Sequence, residues 1–449
     1  MEEMAHTELS FTAILVLITF VIVLAILVSE KIDKTALALI GTSVVSVILF
    51  LFPTDSIHGV PVTPNLIVAE LPWDTIMFIF FMMLIVATAA RSGLFQWLAV
   101  VTIQVTKAQP KTLYFAFVLL TFFISFFFDT VTSLLIMAPL TIEIMKVLNR
   151  DFRPYLISEA LVANFGSTPS FIGAVPNIVI GKVAKLTFIQ FLVVLGPLAI
   201  ITLLTSIPFF LYFHKDVLEN RQNPEDMDMR IFMLDATLVI KRPRLFLTSI
   251  LGILILIFGF TVGQVIGMSP ILTAMCAMTF LLIATRDQIP ETLKEVQWST
   301  VFFLVGLLAI IQAIEELGVI EITAEVLQPI VSNSPELAGL LMLWVGGVLS
   351  GVVDNIPISA ALAPVAYKLG GEGSLLALAL AYGVNIGGYL SPIASPANIL
   401  ALAYSEKEHN PISFIEFAKL GTTLAIVHLI IGSFYFFFLG PLFGGIVKV

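Results

Sequence analysis

Charge is what this sequence has least of: Lys and Arg number 22, Asp and Glu 31, and charged residues make up 12% of its 449 positions, about half the share of a soluble domain. That scarcity excludes an ordinary soluble enzyme. There is one cysteine, Cys276, so no internal disulfide can form. The net charge is −9 and basic runs are missing, which removes nucleic acid as a partner. No Gly-rich loop ends in Gly-Lys-Ser or Gly-Lys-Thr, so no ATP-driven step and no cofactor is expected. Work done by such a chain has to draw on an ion gradient.

What it has in abundance is apolar surface, at 59% hydrophobic residues. About eleven spans of roughly 20 residues would use most of it and leave little for a domain outside the bilayer. The apolar stretches between residues 11 and 440 lack the two-residue alternation of barrel strands, so an all-α polytopic membrane protein is expected. The first stretch, 11–29, follows an acidic segment, the wrong charge for a signal peptide, and is expected to remain as a spanning helix. The polar segment 214–243 is expected to be a cytoplasmic linker between repeats at 1–213 and 244–449.

The two halves repeat one another. At a constant interval Trp73 meets Trp298, Thr75 meets Thr300, Phe78 meets Phe303, Gly93 meets Gly318, Asp129 meets Asp354 and Pro139 meets Pro364. After a short deletion the register continues, with Asn164 on Asn385, Gly166 on Gly387, Ser170 on Ser391, Asn177 on Asn398 and Ile178 on Ile399. Matches among Leu, Ile and Val would be cheap here, whereas Trp, Asp, Asn, Gly and Pro in one order indicate an internal duplication.

Placing Asp129 and Asp354 at the tips of re-entrant hairpins, 112–148 and 337–369, leaves five full spans in each half. An odd number inverts the second repeat. With the N-terminus outside, all Lys and Arg but Lys182, Lys185, Lys368 and Lys448 then fall inside, as the positive-inside bias requires. The loops 53–72 and 318–336 contain no Lys or Arg.

A carboxylate within an apolar segment is costly and marks a site. The inverted arrangement would bring both tips toward one central cavity, where the acids could bind a cation or take up a proton. Capping of the following helix is the structural alternative. Thr130, Thr132, Asn355 and Ser359 would line the tips. The second constellation is a pair of helices broken by Gly and Pro, at 157–183 and 375–403, whose unwinding frees carbonyls for a polar site. Asn164, Gly166, Ser167, Thr168, Asn385, Gly387, Ser391 and Ser395 are the expected ligands there, with sodium expected at Asp129, Asn164, Asp354 and Asn385. Glu159 is a candidate for a proton path, with snorkelling to water as the alternative, which is also the reading for Glu143. His428 is expected to bond a neighbouring helix. Glu315, Glu316, Glu321 and Glu325 read as a solvated outer face.

Taken in order, Phe128-Asp129-Thr130-Val131-Thr132, Asn164-Phe165-Gly166, Pro176-Asn177, Asp354-Asn355-Ile356-Pro357, Asn385-Ile386-Gly387-Gly388 and Ser395-Pro396-Ala397-Asn398 resemble the ion transporter superfamily. Within it the likeness is to ArsB/NhaD-type permeases with a citrate-transporter-like domain, a group that includes melanosomal P-protein relatives. The resemblance implies inverted repeats, a hairpin and a discontinuous helix in each, a homodimer, and elevator-like alternating access in the plasma membrane of a prokaryote. Dicarboxylate-transporting relatives carry Ser-Asn-Thr at both tips, and the acids found here argue against a carboxylate bound in the same way. The expected function is sodium–proton antiport with the tip aspartates as coupling groups. The alternative is an arsenite-type or organic or inorganic anion permease coupled to sodium or protons. An intramembrane aspartyl protease is disfavoured, because Gly351-Val352-Val353 precedes Asp354 where Gly-x-Gly would be needed.

Overall fold

The helix Lys34–Leu51 starts where it does because Asp33 accepts the amides of Thr35 and Ala36, both at 3.0 Å. Caps of this kind followed by apolar runs recur along the computed structural model, which describes residues 9–29, 31–57, 59–107, 109–215, 240, 242–263, 266–286 and 289–448. The acidic segment 1–8 and most of the linker, including Arg221, Arg230 and Lys241, lie outside the described residues.

The first repeat runs through α1 (Phe11–Ser29), α2 (Lys34–Leu51), α3 (Pro64–Ala69), α4 (Trp73–Arg91), α5 (Leu94–Thr106), α6 (Pro110–Phe127), α7 (Thr130–Val147), α8 (Arg153–Gly166), α9 (Val175–Val183) and α10 (Phe188–Phe213). The second follows the same order with α11 (Pro243–Phe258), α12 (Pro270–Ala284), α13 (Ile289–Lys294), α14 (Trp298–Glu316), α15 (Val319–Asn333), α16 (Pro335–Ser350), α17 (Asn355–Gly370), α18 (Leu375–Gly387), α19 (Pro396–Lys407) and α20 (Phe414–Phe434). Nine helices among the described residues are long and apolar enough to cross a membrane. This is an integral, multi-pass membrane protein of two inverted repeats, each with a hairpin (α6–α7, α16–α17) and a helix broken in two (α8–α9, α18–α19).

The expectation for 318–336 needs correction. That segment is mostly α15, whose Val319, Ile320 and Ala324 are buried, and Glu321 is half-buried with Oε1 2.8 Å from Lys368 Nζ of α17. Glu321 therefore faces the hairpin, while Glu325 is exposed as expected. Likewise 94–106 forms α5. Each of these arms begins at a glycine with positive φ, Gly93 at +84° and Gly318 at +77°, a conformation that other residues reach only with strain. That requirement explains why both repeats keep Gly there.

Packing is of two kinds. Across the repeats, α2 lies along α14, with Thr35 Oγ1 donating to Ser299 O at 2.9 Å and Thr42 Oγ1 to Gly306 O at 2.6 Å, and α12 packs on α4. Within each repeat the hairpin packs on its own broken helix, α6 on α8 and α16 on α18. Helices α8 and α18 are buried on nearly every face, and their sequences are mostly small or apolar, with Glu159, Asn164 and Asn385 as buried polar exceptions. Gly383 and Gly387, one turn apart on α18, let the α16 backbone come so near that a Cβ at either would overlap the carbonyl oxygen of Leu343 or Gly347.

Gly387→Ala is therefore expected to cost about 1–3 kcal/mol, read as a lower melting temperature of the purified protein in detergent. Gly445→Ala, which meets nothing within 4 Å, is expected to leave it unchanged.

Candidate functional site

Each hairpin turns at an aspartate because its carboxylate satisfies the free amides of the helix that follows. Asp129 Oδ1 accepts from Val131 N and Thr132 N, both at 3.1 Å, and Oδ2 accepts the Thr132 hydroxyl. Thr132 Oγ1 accepts in turn from Gln297 Nε2 at 3.1 Å, at the start of α14. Asp354 accepts from Ile356 N at 3.2 Å, and its Oδ2 lies 3.6 Å from Lys34 Nζ, the first residue of α2. That ammonium also stands over the Phe303 ring, 5.4 Å from its centroid. Since Thr35 ties the same ends of α2 and α14 together, both tips converge on one end of one helix pair. Asp354 and Lys34 share a cavity of about 290 Å³ with Ile393 and Pro396, at the break between α18 and α19.

The broken helices meet through four asparagines, all fully buried. Asn164 Nδ2 donates to Ala160 O at 2.9 Å and to Asn398 Oδ1 at 3.2 Å. Its counterpart Asn385 donates to Ala381 O at 2.7 Å and to Asn177 Oδ1 at 2.6 Å. The other two staple the breaks: Asn177 Nδ2 donates to Ser167 O at 3.0 Å and Ser170 O at 2.8 Å, and Asn398 Nδ2 to Gly388 O at 2.8 Å and Ser391 O at 3.0 Å. Every amide N–H of the four is thereby spent. The polar groups left over are the Asn164 carbonyl and the Thr168 and Ser395 hydroxyls, buried and without a partner, and the Asn385 carbonyl, which accepts only a long bond, 3.5 Å, from Ser167 Oγ.

The remaining candidates divide by what they touch. Ser167 Oγ also donates to Asn164 O at 2.7 Å, which places it in the network. Ser391 Oγ donates to Gly351 O at 2.8 Å, tying the second break to its hairpin tip. Ser359 turns its hydroxyl back to Asn355 O at 2.5 Å on its own helix. Thr130 and Asn355 are buried at the first positions of α7 and α17. Gly166 and Gly387 allow close helix approach, the former against Phe122. Glu159 is 1% exposed, so it does not snorkel; Thr141 Oγ1 donates to its Oε1 at 2.6 Å, and Oε2 has no partner. Glu143 is exposed. His428 Nε2 bonds Ser206 Oγ of α10 at 3.4 Å, the expected neighbouring-helix contact, and its Nδ1 bonds Tyr389 Oη at 2.6 Å.

The sequence profile of the citrate transporter family (CitMHS) matches residues 24–382. The chain belongs to the citrate transporter family. Among its relatives are an uncharacterized transporter of Mycobacterium tuberculosis, 28% identical over 423 residues that cover 93% of this chain and 96% of the relative. The P protein of Sus scrofa is 25% identical over 512 residues, covering 96% of this chain and 60% of that longer protein. The crystal structure of the YdaH transporter from Alcanivorax borkumensis shares the fold, with a TM-score of 0.56, 11% identity, and 97% and 98% of the two chains covered. The protein is thus a membrane transporter, not an enzyme.

Four residues of this family member's site were not among the candidates read from the sequence. Asn177 and Asn398 recur between the repeats next to Pro176 and Ala397, and that recurrence is their signal in the sequence. Lys34 and Gln297 begin outer helices, and no pattern in the sequence ties them to the tips.

Asn385→Ala would leave Asn177 Oδ1 buried without its donor. The expected loss is about 1–3 kcal/mol, seen as a lower melting temperature in detergent, and Asn177→Ala added to it should cost less than the sum of the single changes.

Proposed function

We propose that the protein is a secondary active transporter that exchanges sodium for protons by alternating access, with Asp129 and Asp354 as coupling groups. Oxygens of Asn164 and Asn385 form the central site. The single observation that carries this reading is the spent donor set: all side-chain N–H groups of the four asparagines are used within the protein, leaving carbonyl oxygens and two hydroxyls facing inward. Lone pairs suit a hard cation, whereas an anion needs donors. The N-termini of α7 and α17, which would otherwise attract an anion, are occupied by the tip carboxylates.

In this reading Lys34 is a resident cation on Asp354 that an arriving sodium ion displaces. The tips and broken helices move as one unit against the outer helices in an elevator-like step. The reading includes a homodimer in the plasma membrane of a prokaryotic cell, with the N-terminus outside.

A second reading, a citrate-type anion permease coupled to sodium or protons, is favoured by α9 and α19. Neither has a side-chain cap at its N-terminus, and the Ser395 hydroxyl beside the latter is free to donate. The family's citrate description fits it as well. The tip acids would then hold the coupling cation.

In proteoliposomes with an internal pH dye, an imposed sodium gradient is expected to move protons between about pH 6 and about pH 9. No such signal, together with sodium-dependent uptake of labelled citrate, would replace the first reading by the second. Asp129→Asn and Asp354→Asn are each expected to reduce coupled transport to background; retention in both refutes their role. Lys34→Met should lower the half-saturating sodium concentration by only about threefold, since that side chain is 30% exposed and its pairing is screened.

A further inference from the structure

In the exchange reading the tip aspartates hold the sodium ion, so a further group is needed to take up the proton, and the amides at the centre do not titrate. Glu159 has the required surroundings. It is fully buried on α8, the helix that carries Asn164, with one oxygen accepting from Thr141 and the other open. The elements packed on α8 are α6, α7, α10, α18 and α19. From α6 comes Tyr114, and from its own helix Tyr155, both within electrostatic reach of Glu159. Helix α7 offers the Thr141 hydroxyl, and among the described residues no charged group from α10, α18 or α19 pairs with Glu159, while Arg150, just before α8, acts on Tyr155. A buried carboxyl with no cation beside it binds a proton in preference to standing as a bare charge.

We propose that Glu159 is the proton-binding group of this transporter, taking up the proton at its unpartnered Oε2. The inference rests on the proton-exchange reading above. Loading forms one O–H bond at Oε2 as a hydronium ion gives up its proton and becomes water, and unloading reverses the step. The position equivalent to Glu159 in the second repeat is Leu380, and the proton is carried by one repeat only.

The test is an infrared difference spectrum of the purified protein in lipid between about pH 6 and about pH 9, with labelled-sodium uptake measured in parallel. A carboxylic C=O band that titrates in the native protein and disappears in Glu159→Gln supports the assignment. A band that persists in that variant, or no titrating band in the native protein, overturns it. If Glu159→Gln does not fold, Thr141→Val, which removes the donor to Oε1, should shift the band, and an unmoved band overturns the proposal. A titrating Glu159 band in a protein that moves no sodium would sink the sodium reading and leave the proton site standing.

Discussion

The exchange of side-chain amides between the two broken helices is the constraint on which the centre depends. Unwound backbone in an apolar surrounding leaves carbonyls and amides that cost several kcal/mol apiece if unpaired. Here the second asparagine of each repeat bonds the carbonyls of its own break while its side-chain oxygen receives the first asparagine of the other repeat. One residue type in four places thus holds two breaks open and locks them to each other. The hairpins follow, because their tips rest on those breaks: Ser391 binds Gly351 at one, and Gly173 lies against the Ser125 carbonyl at the other.

Chemistry follows from what that arrangement leaves unused. The side-chain amide donors are consumed in holding the fold, while the Asn164 carbonyl and the Thr168 and Ser395 hydroxyls remain without partners. The same economy appears at the tips, where each carboxylate caps a helix and still presents charge, in one case to Lys34.

Much of this was legible in the sequence because duplication writes the pattern twice. Asp129 with Asp354 and Asn164 with Asn385 stand out as polar residues recurring within apolar runs, and the odd number of spans implied inversion before any coordinates. Gly93 and Gly318 recurred for a reason visible only in the backbone, their positive φ. The residues that escaped notice lie where sequence carries no such contrast. Lys34 looks like any basic residue at a helix end, and its contact with Asp354 arises from tertiary packing alone. Segment 318–336 reads as a loop between apolar stretches, yet Val319, Ile320 and Ala324 give it a buried side. Its Glu321 meets a lysine from a hairpin far along the chain.

The cross-pairing of α2 with α14 and of α12 with α4 has a consequence for how such a molecule can be assembled. A chain holding one repeat alone would leave two helix flanks bare and its asparagines unmatched, and could complete itself only by meeting a copy threaded through the bilayer upside down. Joining both copies in one polypeptide removes that search and fixes their ratio at one to one. It also frees each copy to diverge, which is how an acid can stand at one position while leucine fills its mirror image.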